Sequence, residues 1–293
     1  MSENPLKVRP YPAVDLGPYA TDEVRSLFHR FFTAKTAHLV DASHAFFHPD
    51  RTFYADAALG WVWPSSEALR AVWAEYMPTW PAEALSYPTR IIGDATSAMV
   101  FMTDTPELFG GEIRAIAPID LQDGLIVRWI DYWDGRAFGS GQAAGMRTPP
   151  EQFPDLYGNL PARTTARIDD LAASLHQAVS SAKPDEVAAA FAPDGVFEDL
   201  TLRTTVRGRA AIARYFARAG ETLPYGPGAQ LRHVVGGALG GGYEWQSTGP
   251  VPRGVVALEL DELGLIDRMT AIWDGSLLSD DALLSLAARA VDL

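Results

Sequence analysis

The sequence contains no cysteine among its 293 residues. Disulfide bonds, thiolate nucleophiles and cysteine-ligated metal sites are therefore excluded. No apolar run approaches the roughly 20 residues that a membrane-spanning helix needs, and residues 1–10 lack the apolar core of a signal peptide. We therefore expect a cytoplasmic protein with no membrane partner.

Basic residues are also scarce. The chain has 24 Lys and Arg residues against 37 Asp and Glu residues, which gives a net charge of −13. A nucleic-acid partner is not expected of so acidic a chain. A dinucleotide fingerprint and a Gly-x-Ser-x-Gly motif are both missing, and His44 and His48 have no evident third metal ligand. We therefore expect no cofactor and no metal, and a small molecule as the partner.

One stretch of sequence occurs twice. Residues 126–135 and 266–275 share a pattern of alternating apolar and polar residues that ends in Trp-Asp-Gly, and each follows a tight turn. With 47% hydrophobic residues, the chain is long enough to bury two cores. We predict an N-terminal arm at 1–20, a first domain at 21–136, a linker at 137–164, a second domain at 165–276 and a C-terminal helix at 277–293.

Each half begins with helical periodicity and continues with strand alternation. In the first half, apolar residues at helical spacing start near residue 21, and the alternating pattern runs from about residue 87 to residue 133. The glycine- and proline-rich residues 136–163 separate this order from its repetition. The order predicts an α+β fold in which N-terminal helices pack on one face of a curved antiparallel sheet.

Several segments of the second half resemble the nuclear-transport-factor-2-like (NTF2-like) superfamily. They are residues 191–194, 196–199, 208–212 and 273–275. The superfamily includes ketosteroid isomerases, SnoaL-type polyketide cyclases, limonene epoxide hydrolase and epoxide-opening cyclases. The resemblance implies two tandem cone-shaped barrels with one deep pocket each. It also implies that open sheet faces pair, either within the chain as an internal pseudo-dimer or between chains as a homo-oligomer.

Asp131 is the strongest catalytic candidate. Alternation along a strand puts Trp129, Asp131 and Trp133 on one face, so the carboxyl group lies between two indoles. A carboxylate that faces a dry cavity has a raised pKa, which suits it to proton transfer near neutral pH. The resemblance also aligns Asp131 with the pocket aspartate of SnoaL-type cyclases. The second copy has Ala271 at this position.

Further catalytic candidates come from the resemblance. Asp199 matches the proton-shuttling base of ketosteroid isomerases by its spacing. In the first half the same interval is one residue longer, so the counterpart is either Ala55 or Asp56, and we prefer Asp56, with Tyr54 as a neighbouring hydrogen-bond donor. Phe31 and Leu175 occupy the position of the isomerase's oxyanion tyrosine. Because neither side chain donates a hydrogen bond, steroid-type isomerisation is not expected.

Aromatic residues are predicted to form the walls of the pockets, although the same residues also suit a plain apolar core. The predicted substrate-binding residues are Trp61, Trp63, Trp73, Tyr76, Trp129, Trp133, Trp273 and, as an acid/base partner of Asp199, His233. Asp120 and Glu259 are predicted to be solvated surface carboxylates, because strand register directs them away from the pockets.

Two functions fit these residues. The first is a cofactor-independent acid/base enzyme, of cyclase, isomerase or epoxide-opening type, that acts on an apolar polyketide-like or other natural-product intermediate. The second is a non-catalytic protein with the same tandem fold that binds a small molecule or serves as a scaffold.

Overall fold

The computed structural model describes residues 10–158, 160 and 166–291. Their strands form two six-stranded sheets, one in each half of the chain. Residues 1–9 of the predicted arm, residues 159 and 161–165 of the predicted linker and residues 292–293 of the predicted C-terminal helix lie outside the described residues. The domain boundaries themselves stay a prediction.

The first domain has its longest helix at the start and most of its strands at the end. In chain order its elements are α1 (Asp22–Thr36), α2 (Val40–His44), β1 (Phe53–Asp56), β2 (Trp61–Trp63), α3 (Ser66–Tyr76), β3 (Ser86–Gly93), β4 (Ser97–Asp104), α4 (Pro106–Phe109), β5 (Ile113–Gln122) and β6 (Leu125–Trp133). A short helix, α5 (Ser140–Met146), follows within the predicted linker.

The second domain repeats this order. Its elements are α6 (Ala166–Ser180), α7 (Pro184–Ala189), β7 (Phe191–Asp199), β8 (Thr204–Arg207), α8 (Arg209–Ala219), β9 (Gln230–Gly237), β10 (Gly240–Gln246), β11 (Arg253–Leu260) and β12 (Ile266–Trp273), followed by α9 (Asp280–Ala288). None of the helices in the described part of the chain is long and apolar enough to cross a bilayer.

Both sheets have the same topology. The strand order is β2-β1-β6-β5-β4-β3 in the first and β8-β7-β12-β11-β10-β9 in the second. The predicted α+β fold with two tandem curved sheets is confirmed, but the sheets are open and not closed into barrels. They are also not purely antiparallel, because β1 runs parallel to β6 and β7 runs parallel to β12. A parallel pair needs a long crossover, which the intervening helices and strands provide.

The helices cover one face of each sheet because their apolar residues form a stripe. On α1 this stripe includes Val24, Phe28 and Phe31, all of which are buried. They pack with residues of the first sheet in one core, and the second domain has a core of the same kind. The interior of each domain therefore lies between its helices and its sheet, where the predicted catalytic side chains also point.

The opposite faces of the two sheets pack against each other. Ile92 and Ile130 from the first sheet share an apolar cluster with Val235 and Val255 from the second. Charged side chains also pair across this contact between the sheets. Arg128 of the first sheet donates two hydrogen bonds, of 2.6 and 3.0 Å, to the carboxylate of Glu244 in the second. The face that each sheet turns away from its own helices is thus buried.

The segment between the two sheets is anchored on the first domain. Thr148 donates a backbone hydrogen bond of 2.8 Å to Leu59. Gly60 adopts a φ of +76°, and a Cβ atom there would lie 2.6 Å from the Phe153 ring. Only glycine accommodates both this left-handed backbone and this close approach without strain.

Candidate functional site

Two aspartates meet where β1 and β6 run side by side. Asp56 ends β1 and pairs in register with Asp131 of β6. In a parallel pair, residues in register point to the same face, so both carboxyl groups turn toward the interior of the first domain. Both residues are partly exposed.

Two aromatic donors hold the Asp131 carboxyl group. The indole Nε1 of Trp129 donates a hydrogen bond of 2.6 Å to Oδ1, and the Tyr54 hydroxyl donates one of 2.6 Å to Oδ2. Burial raises the pKa of Asp131 to about 6, although the charge of Lys35 and the two hydrogen bonds oppose this rise. Each oxygen still has a lone pair free to accept a proton.

Asp56 has a different set of partners. Its Oδ1 accepts hydrogen bonds from the backbone amides of Ala58 and Leu59, at 2.9 and 2.8 Å, and its Oδ2 accepts one of 2.8 Å from Trp133 Nε1. Burial raises the pKa of Asp56 to about 7, and the neighbouring charge of Asp131 adds to the rise. Near pH 6.5 the two acids therefore hold about one proton between them.

Two ionisable residues that sequence reasoning missed lie near this pair. The ammonium group of Lys35 lies 3.8 Å from Asp104 Oδ1, and both residues are buried. The positive charge of Lys35 lowers the pKa of Asp131, whereas the negative charge of Asp104 raises it. Helical periodicity was the available signal, because Lys35 lies one turn beyond Phe31 on the buried stripe of α1.

The predicted aromatic residues of the first domain differ in depth. Trp129 stacks on Tyr54 with ring centroids 5.8 Å apart, and Trp73 meets the same tyrosine edge-on at 6.3 Å. Trp61 is 39% exposed and Tyr76 is 53% exposed, so these two lie at the surface. Trp63 is partly buried and contacts both Tyr54 and Trp61.

The second domain has one aspartate at the equivalent place. Asp199 Oδ2 accepts hydrogen bonds of 3.0 Å from both Tyr225 and Trp273, and Oδ1 accepts one of 2.9 Å from the Leu202 amide. Burial raises its pKa to about 6. Asp199 is 0% exposed, so it is closed off from solvent. Its register partner is Ala271, so it has no second acid beside it on the neighbouring strand.

His233 does not lie beside Asp199. Its Nε2 lies 2.8 Å from Asp120 Oδ2 in the contact between the domains. The prediction that His233 assists Asp199 is therefore wrong, because its side chain leaves β9 on the face that packs against the first domain.

The predictions of surface positions for Asp120 and Glu259 are also wrong. Only 3% of Asp120 and 4% of Glu259 are exposed. Both side chains point away from the interior of their own domain, as strand register predicts, but the other domain covers that face. Glu259 lies 3.0 Å from the guanidinium group of Arg90, so its charge is paired across the contact.

A cavity of about 340 Å³ lies between the domains. Trp133 is the one predicted site residue among those that line it, and the carboxyl groups of Asp56 and Asp131 are not part of its wall. Within the residues that the structure describes, no group of three or more His, Asp and Glu side chains is arranged to hold a metal ion.

Comparison with known proteins identifies the second domain. Residues 172–261 match the SnoaL-like domain family, so this half of the chain contains a SnoaL-like domain. The first domain has the same strand order as the second. The sequence resemblance to this family is therefore confirmed. No match was found among curated proteins.

Several solved structures are similar to part of this chain. One is an uncharacterised bacterial protein with a cystatin-like fold from Silicibacter pomeroyi (20% identity, 41% of this chain and 82% of that chain, TM-score 0.34). Another is a candidate ketosteroid isomerase from Kribbella flavida (20% identity, 50% of this chain and 93% of that chain, TM-score 0.34). A third is a SnoaL-like protein of unknown function from Burkholderia thailandensis (11% identity, 39% of this chain and 100% of that chain, TM-score 0.34).

Proposed function

We propose that the first domain is a cofactor-independent acid/base catalyst that acts on an apolar small molecule. The observation that carries this proposal is the neighbouring pair of carboxyl groups, Asp56 and Asp131, whose pKa values are raised to about 7 and about 6. Buried acids with pKa values near the working pH are the groups that proton-transfer enzymes use.

We propose a different role for each acid from its pKa and its hydrogen bonds. Asp131 has the lower pKa and has lone pairs free, so it is the base that removes a proton from the substrate. Asp56 has the higher pKa and is the acid that delivers a proton to a substrate oxygen. In isomerisation and ring closure one proton leaves the substrate and one arrives, so the substrate composition is unchanged. In epoxide hydrolysis Asp131 takes the proton from a water molecule, whose oxygen adds to the carbon as the C–O bond of the epoxide breaks, and Asp56 protonates the released oxygen. In each case Asp131 then loses a proton to water and Asp56 regains one.

Two further groups tune the pair. Tyr54 stays neutral because burial, the largest effect, and the charge of Asp131 raise its pKa well above the ordinary range. It therefore remains a donor to Asp131. The nearby cation Lys35 favours the ionised form of Asp131, which is the form a base needs.

The surroundings favour a largely apolar substrate, such as a polyketide-like intermediate. The walls near the two acids are aromatic, with Trp63, Trp73 and Trp133 around Tyr54 and Asp56. Such walls exclude water and leave few polar groups to bind a polar molecule. Ring closure, isomerisation and epoxide opening each need one proton removed and one delivered, so all three reactions suit this pair.

A second candidate is a protein that binds an apolar molecule without chemistry. It is favoured by the fact that Asp56 already has three donors, two of them backbone amides. A turn-capping carboxylate has the same partners, and Asp199 has a similar set in the sealed second domain.

Probes with one carbon skeleton distinguish these candidates. Hydrogen exchange at the α-carbon of 2-tetralone in D2O, followed by NMR, reports on enolisation, and hydrolysis of the matching epoxide reports on epoxide opening. We expect the wild type to accelerate one of these reactions. We expect Asp131→Asn to slow it about 100-fold or more, since general acid/base catalysis contributes at least that much.

Asp199→Asn is the matched control, because it removes a buried carboxyl group of similar pKa from the other domain. We expect its rate to stay within about twofold of the wild type, since its carboxyl group is sealed. A folded Asp131→Asn variant with the wild-type rate would contradict the assignment. Binding of 2-tetralone without acceleration of either reaction would favour the second candidate.

A further inference from the structure

Five parts of the chain line the cavity between the domains. They are the residues just after β1, the end of β6, the segment between the domains, the residues that lead into β11, and the residues just after β12. Apolar side chains form much of the wall, including Trp133, Phe153 and Leu277. At about 340 Å³, the cavity is within the size range of small-molecule sites.

Arg253, the first residue of β11, lines this cavity with an unpaired charge. Its guanidinium carbon lies 3.3 Å from the centroid of the Phe153 ring, and its Nη1 donates only a long hydrogen bond of 3.5 Å to the Ala57 carbonyl. Throughout residues 10–158, 160 and 166–291, no Asp or Glu forms an ion pair with it. A partly buried cation without a counterion is costly, so an anion that enters the cavity is stabilised.

The other charges of the wall do not balance Arg253. Arg147 lies 2.5 Å from the Asp274 carboxylate, so these two neutralise each other. The wall therefore keeps a net charge of +1, although the chain as a whole has a net charge of −13. A monoanion balances this charge, whereas a phosphate dianion leaves one negative charge uncompensated.

We propose that this cavity binds an apolar monocarboxylic acid as its anion. The guanidinium group of Arg253 holds the carboxylate, because its planar fork of N–H donors matches the two oxygens. Phe153, Trp133 and Leu277 contact the apolar body of the ligand. This cavity adjoins the Asp56 and Asp131 pair through Trp133, but neither carboxyl group is part of its wall, and its test does not depend on catalysis.

Calorimetric titration with 2-naphthoate and with its uncharged analogue 2-naphthamide tests the proposal on the wild-type protein. The two probes have nearly the same shape, so the difference in Kd isolates the carboxylate. We expect 2-naphthoate to bind at least about tenfold more tightly than 2-naphthamide, since charge-assisted hydrogen bonds are roughly twice as strong as neutral ones.

Two variants assign the effect to one residue. Arg253→Met removes the charge and keeps much of the apolar stem, and we expect it to bind both probes about equally. Arg207→Met removes the same charge from an exposed position on β8. We expect this control to bind 2-naphthoate as the wild type does. If Arg253→Met does not fold, Arg253→Lys replaces it, and we expect its preference for 2-naphthoate to be reduced because lysine lacks the bidentate fork.

Three outcomes overturn the proposal. They are equal binding of the two probes by the wild type, undiminished preference for 2-naphthoate in a folded Arg253→Met variant, and no binding of 2-naphthoate by the wild type at millimolar concentration. None of these outcomes bears on proton transfer by Asp131, and a loss of catalysis in Asp131→Asn does not bear on this cavity.

Discussion

Each domain contains a hydrogen-bonded pair of one aspartate and one tryptophan, and the domains differ in the residues beside this pair. Trp133 Nε1 donates to Asp56 Oδ2 at 2.8 Å, and Trp273 Nε1 donates to Asp199 Oδ2 at 3.0 Å. In each domain the aspartate ends the first strand of the sheet and the tryptophan ends the last. Because the pair recurs, we infer that it belongs to the fold, where it fixes the turn after the first strand.

The differences lie next to this shared pair. The register partner of Asp56 is Asp131, whereas the register partner of Asp199 is Ala271. Tyr54, which donates to Asp131, corresponds to Phe197, which has no polar group. The first domain thus has a second acid together with its donor, and the second domain has neither. This comparison favours chemistry in the first domain and a structural role for Asp199.

The largest effect is expected when the second acid is placed in the second domain. Ala271→Asp adds a carboxyl group beside the sealed Asp199, with no added donor and 0% exposure at the wild-type position. We expect the free energy of unfolding at pH 7.5 to fall by about 3 to 5 kcal/mol, as for an uncompensated buried charge. Denaturant titration measures this change.

Ala271→Asn is the control for this substitution, since it adds nearly the same volume without a charge. We expect the two variants to converge in stability near pH 4, where the introduced acid is protonated. Equal stability of Ala271→Asp and the wild type at pH 7.5 would mean that the second interior also accommodates two acids, and the comparison would fail.

A smaller effect is expected from the titration of Asp199. Its pKa is about 6 in the folded protein and about 3.9 in an unfolded chain. Between these values the folded state keeps a proton that the unfolded state has released, so stability falls as the pH rises. We expect the stability of the wild type relative to Asp199→Asn to fall by about 3 kcal/mol from pH 3.5 to pH 7.5, as measured by denaturant titration.

Asp56→Asn allows the pH dependence of stability to be compared between the two domains. The pKa of Asp56 is about 7, so the corresponding loss of stability should extend about one pH unit higher than that for Asp199. A relative stability that stays constant with pH for Asp199→Asn would contradict the raised pKa of the buried acid.

The smallest effect is expected from the donor that the first domain adds. The hydrogen bond of 2.6 Å from Tyr54 lowers the pKa of Asp131, and Tyr54→Phe removes this bond. We expect the pKa of Asp131, followed by NMR of its carboxyl carbon, to rise by about one unit. Catalysis at pH 6 should then fall about fivefold, because a smaller fraction of Asp131 is ionised.

Tyr225→Phe provides the matched comparison, because Tyr225 donates to Asp199 in the second domain. We expect it to raise the pKa of Asp199 without changing the rate. If both variants slow the reaction equally, the two domains are not divided into a catalytic and a structural one.

Local pattern was enough to predict much of the fold and part of the candidate site. The repeat at residues 126–135 and 266–275 indicated two domains, and helical periodicity indicated the helices that cover each sheet. Alternation along β6 put Asp131 on the same face as Trp129, and these two side chains are hydrogen-bonded. Such predictions work because the direction of a side chain within a strand or helix depends on the local backbone alone.

Contacts between distant segments were not predictable in the same way. Lys35 and Asp104 lie far apart in sequence, and only the packing of α1 on the sheet brings them near Asp131. Asp120 and His233 point away from their own domains, as their strand positions require, but nothing local indicates that they meet each other.

The spacing of apolar and polar residues was enough to predict the elements, their repetition and the faces on which the acids lie. Only the packing of distant segments gives Asp131 its second donor, Tyr54, and leaves it partly exposed, whereas Asp199 is fully buried. The same packing alone brings Arg253 to the cavity between the domains without a counterion. Burial and charge pairing arise from surfaces that meet across long stretches of chain, and no local pattern encodes them.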